Sequence, residues 1–455
     1  MAEIPSGTVS LKRRVIGASA WSLLAFGINY ALRLGSSLIM TRLLVPKMFG
    51  VMAIAMMVMT GLAMFSDMGL RQNIVQSKRG GDPDYLNTVW VVQVIRGALL
   101  WALALVISVL VYVANKIGIV PPASVYADPE LPYVIALVSI SALFGGFQST
   151  KFSEASRQLS LGRVTQIRIA AQVIGLVTML AWVWYDRSIW ALVAGAIVTS
   201  AATSLLSHAW LSGAANRWFV DRSALHEIIH FGKWMFISSI LGFLINNADR
   251  MLLGGYIDSA TLGIYVIAYT IYSAILQVLN KFIADVSYSA LSEVHRDRVH
   301  DLKRTYYRMH TVIGSVAYFG CGILMFAGQN VIDILYDHRY SQAGWMLEVL
   351  SIALLPVPYG LVYYAFLAIG LPRLFTQMIA VEVLGAFIFI PAGFHFYGLT
   401  GAVWGIALSY SAGLPAVIYL QIKHKLFDFW KEALLLLPLA GGMILGKAIS
   451  LFLAH

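Results

Sequence analysis

The sequence predicts an all-α polytopic membrane protein, with two six-helix lobes in parallel repeat and an extra C-terminal helix, about 13 transmembrane helices in all. Three observations carry this reading. The 455 residues are 59% hydrophobic and only 12% charged, whereas a soluble domain has about a quarter of its residues charged. Mean hydropathy is +0.76, and the apolar runs are continuous and about 20 residues long, unlike the short alternating segments of an outer-membrane barrel. Basic residues also alternate from side to side as membrane orientation demands. A single cysteine, Cys321, excludes a disulfide scaffold, and short loops leave no space for a sizeable soluble domain.

Apolar runs between polar breaks place helices near 15–41, 48–76, 86–114, 132–150, 162–185, 189–211, 229–253, 260–290, 304–328, 343–369, 373–396, 399–421 and 432–453. Lys12, Arg13 and Arg14 precede the first run, and no small-residue cleavage pattern follows it. The first helix is therefore read as retained, with a cytoplasmic start. The lobes fall at 1–212 and 213–425, and 426–455 forms an additional membrane segment.

With the N-terminus in the cytoplasm, 22 of the 32 basic residues lie in cytoplasmic segments. The outer side holds Arg42, Lys47, Lys116, Arg187, Arg250 and Arg339, while Arg33, Arg96, Lys281 and Lys447 lie inside spans. The positive-inside rule is thus kept loop after loop, and a missed helix would invert the bias from that point onward. A net charge of +10 reads as orientation and headgroup contact, not as nucleic-acid binding.

Two windows resemble each other. Met48-Phe49-Gly50-Val51-Met52-Ala53-Ile54-Ala55 and Thr261-Leu262-Gly263-Ile264-Tyr265-Val266-Ile267-Ala268 each open a long helix after a tight turn, 213 residues apart. Six spans separate them, so both copies cross the membrane in the same direction, as in a parallel transporter repeat.

The run Thr41-Arg42-Leu43-Leu44-Val45-Pro46-Lys47-Met48-Phe49-Gly50, with Phe65-Ser66-Asp67-Met68-Gly69-Leu70, resembles the polysaccharide transporter family. These are the oligosaccharide flippases of the multidrug/oligosaccharidyl-lipid/polysaccharide exporter superfamily. Asn246-Asn247-Ala248-Asp249-Arg250-Met251-Leu252-Leu253-Gly254 and Leu262-Gly263-Ile264-Tyr265 extend the resemblance, which covers roughly residues 10–425. It implies a V-shaped pair of lobes and passage of oligosaccharide linked to a polyprenyl diphosphate of the undecaprenyl class across the bacterial inner membrane. It also implies membrane lipids as partners, with a polymerase and glycosyltransferases in the same pathway, and no cofactor. The thirteenth span departs from the family, which has twelve or fourteen.

Ionisable side chains in hydrocarbon cost about 2.5–3.5 kcal/mol each and normally face a cavity or a partner. Arg33 and Arg96 have no acidic residue at helical spacing, and an arginine fork suits a diphosphate. They are candidate substrate ligands together with Lys281 and Arg250. The acids Asp67, Asp249, Asp285 and Glu382 are candidates for coupling or gating, and Glu348 is a further intramembrane acid. Lys281 and Asp285, and likewise Asp67 and Arg71, are four residues apart and can neutralise each other on one helix face. Asp249 and Arg250 are adjacent, so they are expected to diverge. Trp21, Tyr30, Trp101, Tyr265, Tyr269 and Tyr272 could stack on sugars, although packing is the commoner role of such residues.

No enzyme signature stands out. Gly441 to Lys447 has phosphate-loop spacing but is followed by Ala448, without the hydroxyl that binds magnesium. His226 and His230 do not form a zinc motif, and His295, His300 and His310 sit in or near a basic loop, so no metal site is expected. The sequence therefore favours a flippase over a cation-coupled multidrug exporter of the same superfamily, and both over a glycosyltransferase or polymerase. The topology is testable with reporter fusions. A fusion after Lys425 should report cytoplasm, and one at His455 the opposite side; a cytoplasmic signal from both would mean that the last segment does not cross.

Overall fold

The computed structural model describes residues 11–67, 69–158, 160–283, 291, 294, 301–368 and 372–453. All regular structure among them is helical. Nine helices there are long and apolar enough to cross a membrane, or ten when a bent pair counts as one span, against thirteen read from the sequence. One of the nine, Gln377–Lys423, is 47 residues long. At about 1.5 Å per residue it would be twice too long for one crossing. The chain reverses within it at Tyr397 and Gly398, where Gly398 has φ 59°. Gly393 and Gly401 lie against each other's carbonyls across this hairpin, so the run makes two passes.

The helices group into two compact units. The first holds residues up to Leu44, Ala55–Ile119 and Pro129–Ile240. It contains α1 (Leu11–Leu43), the second part of α2 (Pro46–Phe65), α3 (Leu70–Gln76) and α4 (Pro83–Lys116). It continues with α5 (Leu131–Val138), α6 (Ile140–Gly146), α7 (Lys151–Arg157), α8 (Leu161–Tyr185), α9 (Trp190–Ala209) and the start of α10 (Arg222–Tyr256).

Local chemistry sets the helix ends. Asp82 caps α4 by accepting from the Asp84 amide at 3.1 Å, with Pro83 at the first position. The second span was read as one helix over 48–76, but α2 stops at Phe65. Ser66 there turns its hydroxyl back to the Leu62 and Ala63 carbonyls, and Gly69 takes φ 59°. The fourth span is broken too, with a 60° bend between Leu131–Gly146 and α7.

Where α3, α4 and α10 meet, Leu70, Ile74, Tyr85, Leu86, Val89, Ala224 and Ile228 form a core, and the Tyr85 hydroxyl donates to the Asn73 side chain. The linker before α10 is tied down by Arg79, which bonds Asp221 at 2.7 Å and Asp82 at 3.1 Å. Bonds from the Ser223 hydroxyl and from Arg79 hold the Asp221 carboxyl well below the usual carboxylate range.

The second unit holds Val45–Ile54, Val120–Asp128 and the chain from Leu241 onward. It contains most of α10, α11 (Ser259–Phe282), α12 (Leu302–Leu335), α13 (Ala343–Ser351) and α14 (Gly360–Ala368). The hairpin α15 (Pro372–Ser409), α16 (Leu414–Lys423), α17 (Phe429–Leu434) and α18 (Leu436–Leu453) complete it. Asp258 caps α11 by accepting from the Ala260 and Thr261 amides at 2.8 and 3.0 Å.

The last helix runs parallel to α12. Gly442 lies on the Phe319 carbonyl and Gly446 on the Ile323 carbonyl, a constant offset of 123 residues. The first turns of α2 and the loop 120–128 are built into this unit. Val125 N donates to Ile257 O at 3.0 Å, and the Tyr126 hydroxyl to Met251 O at 2.9 Å. Buried Asp128 accepts from the Ser259 hydroxyl at 2.8 Å and pairs with Lys47 at 3.3 Å.

Here the two copies of the repeat meet. A Cβ on Gly50 would strike the Ser259 carbonyl, and a Cβ on Gly263 would strike the Pro46 carbonyl. Gly263 is Gly50 advanced by 213 residues, and Ser259 is Pro46 advanced by the same number. Each glycine therefore touches the other copy's equivalent position, the reciprocal pattern of a two-fold contact. Glycine is required because backbone meets backbone. Gly50→Ala and Gly263→Ala should each lower the thermal midpoint of the purified protein, since overpacking costs about 1–3 kcal/mol and outweighs the helix-propensity gain of about 1 kcal/mol. Gly35→Ala, where a Cβ meets nothing within 4 Å, should leave the midpoint unchanged or raise it.

Candidate functional site

Each unit contains a polar site bordered by helices apolar enough to cross a membrane. In the first, a cavity of about 330 Å³ is lined on one side by Met59, Thr60 and Ala63 of α2 and on the other by Ser141 and Ala142 of α6. Gln93, Arg96, Gly97 and Leu100 of α4 lie between them. Gly97 and Gly146 let α4 and α6 come within backbone contact beside it. The Gln93 amide donates to the carbonyls of Gly145 at 3.1 Å, Gly146 at 3.1 Å and Gln148 at 2.9 Å, satisfying groups freed by the break after α6.

Arg96 was expected to lack a partner. Its Nε donates to the Ser66 hydroxyl at 2.9 Å and its Nη2 to the Ala63 carbonyl at 2.5 Å. The guanidinium is thus aimed by the carbonyl end of α2, where the helix dipole favours a cation. Its Nη1 makes no hydrogen bond among the described residues. Asp67 lies within electrostatic range of Arg96. The expected pairing of Asp67 with Arg71 does not form, because α2 has ended before both. Asp67 instead accepts from Gly69 N at 2.9 Å, and Arg71 donates to the Ser156 hydroxyl at 3.3 Å.

In the second unit, a cavity of only about 10 Å³ is lined by Asp249, Glu382, Ser409, Tyr410 and apolar residues of α10 and α15. Asp249 Oδ2 accepts from the Tyr265 hydroxyl at 2.5 Å, while its Oδ1 lies 3.7 Å from Arg250 and has no hydrogen bond among the described residues. The expectation that Asp249 and Arg250 diverge is therefore corrected. The long arginine stem folds back one turn, so that Nη1 also donates to Asn246 O at 3.2 Å and the guanidinium sits 4.0 Å from the Tyr269 ring centre. Glu382 accepts from the Tyr363 hydroxyl. Tyr265 and Tyr272 are wholly buried, which removes them as open sugar platforms.

The other candidates are not gathered into these sites. Arg33 is exposed and forms no ion pair among the described residues. Lys281 lies half-buried in the last turn of α11, and its expected partner Asp285 lies outside the described residues. Glu348 accepts from Gln329 N at 3.1 Å. Among the described residues no cluster of histidine, cysteine or acid side chains could hold a metal.

Sequence reasoning missed one buried polar cluster. Glu432 of α17 accepts from the Tyr307 and Tyr359 hydroxyls, each at 2.9 Å, with wholly buried His310 at 3.9 Å. His310 looked like a neighbour of the basic loop; its place on the apolar stripe of α12, with Tyr306 and Ile313, was the available signal.

Described residues that are all helical where regular, with nine or more apolar candidate spans, an internal repeat and an arginine lining a cavity, define a multi-pass membrane transporter. Residues 39–345 match the family of polysaccharide biosynthesis proteins, and the chain belongs to that family. It is 21% identical to the lipopolysaccharide biosynthesis protein WzxC of Escherichia coli K12, over 94% of this chain and 87% of that protein. It is 23% identical to the succinoglycan biosynthesis transport protein ExoT of Rhizobium meliloti, over 61% of this chain and 54% of that one. The fold is similar to the lipid II flippase MurJ in an inward closed conformation, with TM-score 0.72 and 14% identity over 96% of this chain and 93% of MurJ. It is also similar to an inward-facing multidrug transporter of the MATE family, with TM-score 0.60 and 16% identity over 87% and 93% of the two chains.

The Asp249–Arg250 pair makes a direct prediction. Arg250→Leu leaves a buried carboxylate without its cation and should cost about 3–5 kcal/mol of stability. Adding Asp249→Asn should recover much of that loss in thermal unfolding. A double variant as unstable as the single one would show that the pair does not hold α10 in place.

Proposed function

We propose that the protein moves oligosaccharide linked to a polyprenyl diphosphate from the cytoplasmic to the outer leaflet of the bacterial inner membrane. The transport serves lipopolysaccharide, capsule or exopolysaccharide synthesis and proceeds by alternating access. The observation that carries this reading is Arg96, which is held by Ser66 and Ala63 at the end of α2 and lines a cavity of about 330 Å³ together with Thr60, Gln93, Ser141 and apolar residues. A cation preset at membrane depth suits a diphosphate, and neutral polar walls suit sugar hydroxyls. Membership of the polysaccharide biosynthesis family supports the same substrate class.

In this reading Arg96 is the principal headgroup ligand, with Arg33, Lys281 and Arg250 as further cations along the route. Asp67, Asp249, Asp285 and Glu382 are the carboxylates for coupling or gating. The glycosyltransferases that build the substrate and the polymerase that consumes it are partners in the same pathway. A multidrug exporter is less well supported, since the family matched and the relatives WzxC and ExoT belong to polysaccharide biosynthesis.

Deleting the gene should leave lipid-linked repeat units on the cytoplasmic side and stop polymer export. Arg96→Ala should fail to restore export at normal protein abundance, while Arg96→Lys should restore part of it, keeping charge without the fork. Normal export in the deletion strain, with no second flippase present, would contradict the assignment.

A further inference from the structure

Near the N-terminal end of α4, three aromatic rings stand together outside the cavity already described. Trp90 lies 6.3 Å from Phe147 at 64° and 6.1 Å from Trp218 at 85°, measured between ring centres. Trp90 precedes Gln93, Gly97 and Leu100 at helical spacing, so it continues the cavity-lining stripe of α4 toward the N-terminus of that helix. Phe147 directly follows Gly145 and Gly146, which line the same cavity from α6. Six residues separate Trp90 from Arg96, about 9 Å along a helix axis, comparable to the full length of a diphosphate with one sugar attached.

Two features set these rings apart from ordinary packing. Trp218 is 66% exposed and Phe147 is 47% exposed. Yet the linker bearing Trp218 is pinned on both sides: Arg217 N donates to Asn87 Oδ1 at 2.8 Å, and Asp221 N to the Thr88 hydroxyl at 2.9 Å. Asn216 is clamped between the Ser149 hydroxyl at 2.7 Å and the Thr150 hydroxyl at 2.6 Å. On the other side the Phe147 carbonyl accepts from His208 Nε2 at 2.8 Å and from Trp90 Nε1 at 3.4 Å. The rings are thus held open on a fixed backbone, and the near-perpendicular Trp90 and Trp218 form a floor and a wall.

We propose that Trp90, Phe147 and Trp218 form a binding site for a pyranose ring, the first sugar after the diphosphate. The apolar C–H face of the ring stacks on indole while its hydroxyls remain in water, the use to which a large, stiff, amphipathic side chain is suited. This site rests on the lipid-linked saccharide reading above and adds sugar recognition to it. The order along the route is then sugar at Trp218, diphosphate at Arg96 and lipid tail toward the bilayer.

The test uses the full-length protein in detergent with two probes, farnesyl diphosphate and farnesyl diphosphate carrying one N-acetylglucosamine. The sugar-bearing probe should bind about three- to tenfold more tightly, the range one aromatic contact supplies. Trp218→Ala should abolish that increment while leaving the affinity for farnesyl diphosphate unchanged, which also shows that the variant is folded. Phe147→Ala should reduce the increment, and Trp218→Phe should keep most of it. An increment that survives Trp218→Ala, as expected of a headgroup-layer anchor, overturns the site, as does the absence of any increment in the natural protein. Failure of farnesyl diphosphate itself to bind overturns the substrate reading and the sugar site with it.

Discussion

A charge inside hydrocarbon must be paired or face a cavity, and that constraint determines the arrangement of the polar groups at membrane depth in this protein. Arg96 is held by the carbonyl end of α2, Asp249 by Tyr265 and Arg250, Glu382 by Tyr363, and Glu432 by Tyr307 and Tyr359. Each of these acids is bonded by a tyrosine hydroxyl on a neighbouring element, a neutral donor for a carboxylate, and Asp249 has the Arg250 cation beside it as well. Arg96 also lines a cavity of about 330 Å³.

The same economy of polar groups shapes the backbone. Lipid supplies no hydrogen bonds, so breaks in a membrane helix survive only where side chains complete them. The break after α6 is completed by Gln93 and the end of α2 by Ser66 and Arg96, which brings both breaks to the wall of one cavity. In the second unit the reciprocal contact of Gly50 and Gly263 brings the two repeat copies together through backbone alone. A contact without side chains can close tightly and yet release without leaving an unpaired charge, a useful property where a transporter must change state.

The membrane class and the repeat were legible in the sequence because they rest on composition and on a fixed interval. The contact between Gly50 and Gly263 gives that interval a structural meaning. Pairings were less legible. Asp67 and Arg71 have the spacing of a helical ion pair, but spacing says nothing once Ser66 and Gly69 end the helix. Asp249 and Arg250 have the wrong spacing and pair nonetheless, because an arginine stem is long enough to double back. The aromatic group of Trp90, Phe147 and Trp218 spans three segments far apart in sequence, so no periodicity could bring it to notice. Tyr265 and Tyr272, singled out by their place on an apolar helix, are buried for the same reason that they stood out.

The central claim is movement of a saccharide on a lipid diphosphate across the bilayer. It is tested most directly by reconstituting the purified protein in liposomes with a fluorescent short-chain polyprenyl diphosphate disaccharide, then bleaching the outer leaflet with a membrane-impermeant reductant. In protein-free vesicles only the outer half of the label should be lost. Vesicles with the natural protein should lose nearly all of it, and those with Arg96→Ala should resemble empty ones. Equal bleaching in empty and protein-containing vesicles would contradict the account.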